Sequence, residues 1–300
     1  MTAAQRRRAV THLCRRFEVS ERRSCRLLGQ SRSTQRYAAR VRDGEAALSK
    51  RIEQLAVRHP RYGYRRIWAL LRREGWRTNV KRVRRLWREL GLKRPQRRKK
   101  PRNAGGRPGR SVNSCTATPA RAKDQVWAWD FVFDRTADGR SLKWLTLVDE
   151  YTRECLLLHV ARAMTGTDVV RQLARVVGRR GAPATIRSDN GPEFIGQAIR
   201  DWFSAAGIGS LYVAPASPWE NGYAESFHSR LRDEFLERVE FESVGDARMQ
   251  AARWRAEYNT ERPHSSLGYR TPKEFATLCA RGSSASLRSA PLPQAHSVVC

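Results

Sequence analysis

Three acidic residues stand where an acid needs a reason. Asp130 interrupts the apolar run VWAWDFVF (126–133). A carboxylate inside such a strand is costly unless it is paired or binds a metal ion. Asp189 directly follows the short strand TIRS, within SDNGPEF. Ligands gather at the strand ends of α/β sheets. Glu225 lies on a helical segment, NGYAESFHSRLRDE. Taken singly, each acid has an ordinary reading. Asp130 can pair with an arginine, Asp189 can cap the next turn, and Glu225 can be a solvated helix residue. Taken together, they supply the donors of a two-metal phosphoryl-transfer site. Hard cations such as Mg²⁺ take oxygen ligands from a few carboxylates and keep positions open for substrate oxygens.

Elements of an α/β core surround these positions. Val126–Phe133, Trp144–Val148 and Cys155–Val160 read as strands, with turns at Asp138-Gly139 and Asp149–Arg153. Asp168–Val177 reads as an amphipathic helix, Thr185–Ser188 as a short buried strand, Phe194–Ala206 as a helix and Leu211–Val213 as a strand. Glu220–Glu237 reads as a helix with Phe227, Leu231 and Phe235 on one face, and 245–258 as another helix. Three strands followed by alternating helices and strands fit a mixed sheet flanked by helices. Asp134 and Asp149 are set aside, the second because it opens a turn. Asn190 and Gly191 read as turn chemistry after Asp189, and Glu193 as a spare acid that is not a ligand. Trp219 fits either a base stack or the core.

The chain of 300 residues carries 59 Lys+Arg against 29 Asp+Glu, a formal net charge of +30. Residues 1–123 hold 37 of the basic and 7 of the acidic residues, so all the excess lies there. A polyanion is the expected partner, nucleic acid first. No run of apolar residues is long enough to span a bilayer, and the N-terminus lacks a signal peptide's apolar stretch. The six cysteines are scattered without a C-x-x-C pair, which argues against a zinc finger or a disulfide framework. Thiols in a reducing cytoplasm, on a nucleoid-associated protein, are the expectation.

The basic part is helical. Residues 1–44 carry three short helical segments, with Ser20 and Ser31 or Ser33 as caps and Gly29 as a stop, and form a helix-turn-helix-like DNA-binding region. A three-helix bundle with a solvated arginine face fits the pattern equally. Residues 45–92 repeat the theme as a second DNA-binding domain. There Arg65 and Arg66 stand in the turn HPRYGYRRI (59–67) that leads into one helix. Lys81, Arg82, Arg84, Arg85 and Arg88 line the outer face of another, capped by Thr78 or Asn79, as a candidate recognition helix. Residues 93–123, rich in Arg, Lys, Pro and Gly, read as a basic flexible linker. The catalytic core is expected over 124–240, a helical extension over 241–280 and a disordered tail over 281–300. Tyr258–Lys273, with its prolines and aromatics, reads as a cover near the site or a DNA-contacting extension. Asn221, His228 and Arg232 are candidate DNA contacts near the reacting phosphate.

The strings WAWDF, LTLVDEYTRE, SDNGPEF and YNTERPHSSLGYRTPKEF, with 35 residues between Asp189 and Glu225, carry a resemblance. They are similar to the integrase-core DDE transposases of bacterial insertion sequences, most of all to the second-frame (OrfB-type) protein of the IS-three family. The resemblance covers about residues 5–278. It implies a ribonuclease-H-like fold, with Asp130, Asp189 and Glu225 as catalytic residues and ligands of two Mg²⁺ or Mn²⁺ ions. It also matches Arg232, seven positions after Glu225, to a basic residue of the family. The implied activity is DNA strand cleavage and strand transfer at the ends of an insertion sequence and into target DNA. The implied assembly is a homo-oligomer on DNA, joined by an upstream-frame (OrfA-type) partner or fusion. One departure is Trp129, where Met is common in relatives. Its side chain faces the opposite side of the strand from Asp130. A catalytically silent DNA-binding derivative and a nuclease of the same fold are the alternatives, and the intact acids speak against the first.

If residues 1–123 hold DNA, each phosphate they neutralise releases counterions. Affinity is then expected to fall by about a thousandfold or more between roughly 50 and 200 mM salt. A filter-binding titration that stays flat over that range would remove DNA as the partner of this charge.

Overall fold

The computed structural model describes residues 1–37, 44–93, 119–188, 196–212 and 222–280. The chain divides into two units, residues 1–51 and residues 52–300. The tail and most of the basic linker lie outside the described residues.

The first unit is built from capped helices. Thr2 and Gln5 form a reciprocal capping box at the start of α1 (Ala3–Phe17). Ser20 accepts from Arg23 N to cap α2 (Glu21–Leu27), and Ser31 accepts from Thr34 N to cap α3 (Arg32–Arg36). Gly29 adopts φ +59°, the left-handed turn that stops α2. Val10 and Cys25 are buried. The Arg7 Nε donates to Thr34 O at 2.8 Å and ties α1 to α3. Helix α4 (Glu45–Arg58) spans the boundary between the units.

In the second unit, α5 (Tyr64–Arg73) and α6 (Val80–Glu89) form a helical pair. Asn79 is the cap of α6 and accepts from Lys81 N. Val83, Leu86 and Trp87 face inward, while Lys81, Arg84, Arg85 and Arg88 are exposed. This pair is not independent of the rest. Arg66 of α5 reaches Glu234 at 2.9 Å, Arg73 pairs with Glu274, and Trp68 meets Tyr269 edge-on at 6.0 Å. Residues 52–93 therefore belong to the same compact unit as the sheet, where the sequence suggested a separate domain. The end of the expected linker is docked as well, with Ala120 buried among Val126, Tyr151, Leu267 and Phe275.

The sheet has five strands in the order β3-β2-β1-β4-β5. They are β1 (Val126–Arg135), β2 (Ser141–Asp149), β3 (Cys155–Ala161), β4 (Thr185–Ser188) and β5 (Gly209–Tyr212). The first three are antiparallel neighbours, and β4 and β5 run parallel to β1. Both faces are covered, which is why β1 and β2 are apolar almost throughout. On one face Trp127, Trp129, Leu145 and Leu147 pack against α7 (Gly166–Arg180) and α8 (Gln197–Ala205). On the other, Val132, Trp144, Val148 and Leu158 pack against α9 (Gly222–Glu234) and α10 (Val244–Thr260). Gly209 lets β5 approach β4, because a Cβ there would sit 2.9 Å from the Thr185 Cγ2. A last helix, α11 (Pro272–Ala280), closes the described chain, inside the stretch expected as a helical extension. No described helix is long and apolar enough to cross a membrane.

Glu234 at the end of α9 is the joint of this unit. It accepts from Arg262 at 2.5 and 2.7 Å and from Arg66 at 2.9 Å. Burial opposes ionisation of Glu234, but the two guanidiniums outweigh it and hold its pKa below the ordinary value. Glu234→Leu leaves buried arginines without their carboxylate and is expected to cost about 3–5 kcal/mol in a denaturant titration. The same interaction sets an acid limit. Its stabilisation is present above the unfolded carboxyl's pKa of 4.5 and is lost as pH falls through the lowered folded value. A variant that unfolds in acid just as the wild type does would remove Glu234 from that role.

Candidate active site

The site grows from one register. Asp130 sits on β1 opposite Thr146 of β2. Strand alternation puts its side chain on the face covered by α9, and turns Trp129 into the opposite core, against Phe203. The expectation for Trp129 holds. Asp130 Oδ1 accepts from Phe131 N at 2.7 Å.

Helix α9 supplies the second acid. Phe227 and Leu231 are buried in the core beneath the helix. That contact sets the rotation of α9 and leaves Glu225, His228 and Arg232 along one side, at spacings i, i+3 and i+7. His228 lies 3.4 Å from Asp130 Oδ2 through its Nδ1. Its Nε2 lies 2.8 Å from the Thr146 hydroxyl, which donates to Asp130 O at 2.9 Å. The hydroxyl and the ring nitrogens thus join β1, β2 and α9 in one polar chain. Burial, with the Arg232 charge second, lowers the His228 pKa to about 4, so the ring is neutral at neutral pH.

The third acid is the next residue after β4. Arg187 pairs with Ala128 of β1, so the strand end at Ser188 emerges beside the stretch that carries Asp130. Asp189 itself lies outside the described residues, as do Asn190, Gly191, Glu193, Trp219 and Asn221. Among the described residues no group of three metal-ligating side chains gathers. Of the expected set, the structure brings together Asp130, His228 and the side of α9 that bears Glu225 and Arg232.

Two expectations for DNA contact change. His228 points into the protein toward Asp130 and Thr146, because the alternation of α9 gives its inner edge to that ring. Arg66 is largely buried and committed to Glu234. Arg65 is exposed beside Tyr64, and Arg82 is half-buried. Lys81, Arg84, Arg85 and Arg88 form an open basic surface, on which Arg85 also pairs with Glu89 at 3.0 Å.

Sequence reasoning missed a buried ion pair below the site. Arg187 Nε donates to Glu150 Oε1 at 2.8 Å, and both side chains are inaccessible to solvent. Burial pushes the Glu150 carboxyl up to about 7, against the pull of Arg187. The pair ties the β2–β3 turn to the strand that ends one residue before Asp189. The signal was available, since a charge inside TIRS is as anomalous as Asp130 inside its own strand. Asp149 behaves as the turn-former expected of it, accepting from Tyr151 N and Thr152 N at 2.8 Å each.

A five-stranded mixed sheet, with a carboxylate on its central strand and another on the helix across it, defines a class of nucleic-acid-processing cores. The integrase core domain family matches residues 120–218, a second integrase core family matches 206–272, and an HTH-like domain family matches 43–100. An insertion element IS407 protein of 31.7 kDa from Burkholderia multivorans is 40% identical over 261 residues, covering 87% of this chain and 92% of that one. An insertion element IS476 protein from Xanthomonas euvesicatoria is 41% identical over 275 residues, covering 91% and 78%. The transposase InsD of insertion element IS2 from Escherichia coli is 28% identical over 237 residues, covering 75% and 76%. Among solved structures, the HTLV-2 integrase catalytic core domain in complex with magnesium aligns with a TM-score of 0.42 and 12% identity, over 52% of this chain and 97% of that one. The chain belongs to the integrase-core family of insertion-element transposases. Its sheet is the ribonuclease-H-like integrase core, preceded by a helical region with an HTH-like domain.

The Glu150–Arg187 pair yields an asymmetric expectation. An arginine cannot shed its proton, whereas a carboxyl already near 7 can take one up. Glu150→Leu is therefore expected to cost about 3–5 kcal/mol, and Arg187→Leu distinctly less. Equal losses in urea unfolding would contradict this account.

Proposed function

We propose that this transposase cleaves DNA at the ends of its insertion sequence and transfers the freed strand, using Asp130, Asp189 and Glu225 as its carboxylate set. The observation that carries the reading is the convergence of Asp130 and the Glu225 side of α9 on one place, with His228 Nδ1 3.4 Å from the same carboxylate. Asp189 enters by covalent continuity, since successive Cα atoms lie about 3.8 Å apart and Ser188 ends the strand beside β1.

The donor set fits hard divalent cations, two Mg²⁺ or Mn²⁺, which when bound supply activation of the attacking oxygen and charge stabilisation at the leaving one. The protein's own part is positioning. Asp130 is held by the backbone N–H of Phe131 and by its place in the central strand. His228 and Thr146 fix the helix to the strand through a chain of hydrogen bonds. Arg232, exposed on the same side of α9, is placed to meet a phosphate beside the reacting one. The basic face of α6 and Arg65 hold the DNA backbone and set its register without reading bases themselves. Such chemistry rests on orientation and electrostatic stabilisation. Cleavage by water is followed by in-line attack of the freed 3′-hydroxyl on a second strand. Assembly as a homo-oligomer on paired ends, with an upstream-frame partner or fusion, is part of the same reading and rests on family membership.

Strand cleavage and joining on labelled DNA carrying the element's own ends tests this directly. With Mg²⁺ or Mn²⁺ the wild type is expected to cut and join, and with chelator to do neither. Asp130→Asn, Asp189→Asn and Glu225→Gln are each expected to retain DNA binding and to fall below about one hundredth of wild-type activity. Full activity in any of the three, or activity in chelator, would overturn the assignment.

A further inference from the structure

Helix α9 has a second polar flank, turned away from Glu225. There Tyr223, Ser226 and Arg230 face a cavity of about 280 Å³. Its other walls are Val148, Phe227 and Tyr258 below, Arg153 from the β2–β3 turn, and His264, Ser265 and Ser266 from the segment before α11. The floor is apolar and aromatic, and the rim is cationic and hydroxylic.

The rim is rigid. Arg153 is held at φ +64°, a conformation that non-glycine residues rarely adopt, by a turn in which Asp149 accepts from three backbone N–H groups. Its guanidinium lies 4.0 Å from the centroid of the Tyr223 ring, so a flat cationic surface is already stacked at the mouth. His264 Nδ1 lies 2.9 Å from the Ser266 hydroxyl. Among the described residues of the lining there is no carboxylate. Burial first, then Arg262, Arg230 and Arg153, drive the His264 pKa down to about 2.

The ligand must match both halves. A bare phosphate would satisfy the arginines but leave an apolar floor unused. It would also occupy little of a space many times the roughly 30 Å³ share of one water. A planar base on the aromatic and guanidinium surfaces, with its phosphate on the arginines, uses the whole cavity. We propose that this cavity receives a single unstacked nucleotide of the DNA that the enzyme processes. The inference rests on the DNA reading above. The pocket and Glu225 lie on opposite sides of one helix, whose diameter with side chains is about 10–12 Å. The captured nucleotide therefore stands within a few positions of the reacting phosphate. Drawing it from the stack would anchor the strand while the scissile bond is aligned.

The test uses the element's end DNA with 2-aminopurine placed in turn at each position within about five nucleotides of the cut. Binding is read by fluorescence without metal, and cleavage separately with Mg²⁺. One position is expected to brighten on binding the full-length protein. Two variants probe the pocket independently. Arg153→Ala removes the stacked rim, and Ser226→Trp plugs the mouth from an exposed helix position that leaves the core untouched. Both are expected to lose the brightening and to slow cleavage about tenfold or more, the change given by loss of one base stack. An abasic nucleotide at that position is expected to erase the difference between Ser226→Trp and wild type. Cutting without brightening at any position, or brightening that survives both variants, overturns the pocket. Brightening in a protein that never cuts overturns the catalytic reading and leaves the pocket standing.

Discussion

The packing of Phe227 and Leu231 against the sheet is the contact on which the rest of this molecule depends. An amphipathic helix has one rotation that buries its apolar stripe. In α9 that stripe meets Val132 and Trp144 in the core. Everything else about the helix follows from the angle so chosen. Glu225, His228 and Arg232 come to one side, next to Asp130. Tyr223, Ser226 and Arg230 come to the other, over the cavity. Glu234, at the C-terminal end, meets Arg66 and Arg262. Phe235 continues the clamp just beyond the helix, stacked on Trp254 at 5.6 Å and edge-on to Trp144 at 5.9 Å. This aromatic bed fixes the rotation of the helix, and with it the direction in which Glu225 faces.

Arginine has two uses in the chain, and the surroundings separate them. On α6 the guanidiniums of Arg84, Arg85 and Arg88 are exposed, where water and counterions surround them and phosphates can replace those counterions. Inside the second unit, Arg187 and Arg262 are buried and Arg66 is largely so, and each has a carboxylate partner. Burying a guanidinium without such a partner would be prohibitive, and even a good pair adds little net stability. What these pairs add is position. Arg187 and Glu150 join the β2–β3 turn to the strand leading to Asp189. Arg66, Glu234 and Arg262 join the α5 helix to the end of α9.

Much was legible from sequence. An acid within an apolar strand, an acid just after another strand and an acid on a helix were anomalous by burial cost alone. Strand β4 has the limits read for it, 185–188, and the other strands and core helices agree to within a few residues. Alternation in β1 placed Trp129 and Asp130 on opposite faces, as found. Helix caps at Ser20, Ser31 and Asn79 were readable because capping is local chemistry within three residues.

What the sequence by itself determined about this protein is what acts over short separations along the chain. That includes its elements, its family, the charge division at residue 123 and the three acids with their spacing. Only the tertiary structure decided which side chains meet across long separations. His228 looked like a candidate DNA contact, because nothing in its neighbourhood announces Thr146, 82 positions away. Arg66 looked like Arg65, until Glu234, 168 positions away, took one of them inside. The cavity beside Tyr223 draws on α9, on the β2–β3 turn and on the segment before α11, so no local pattern contains it. Periodicity states which face of an element is buried. The partner of that face is set by the packing of whole elements, and there the pairing of charges and the shape of a pocket are decided.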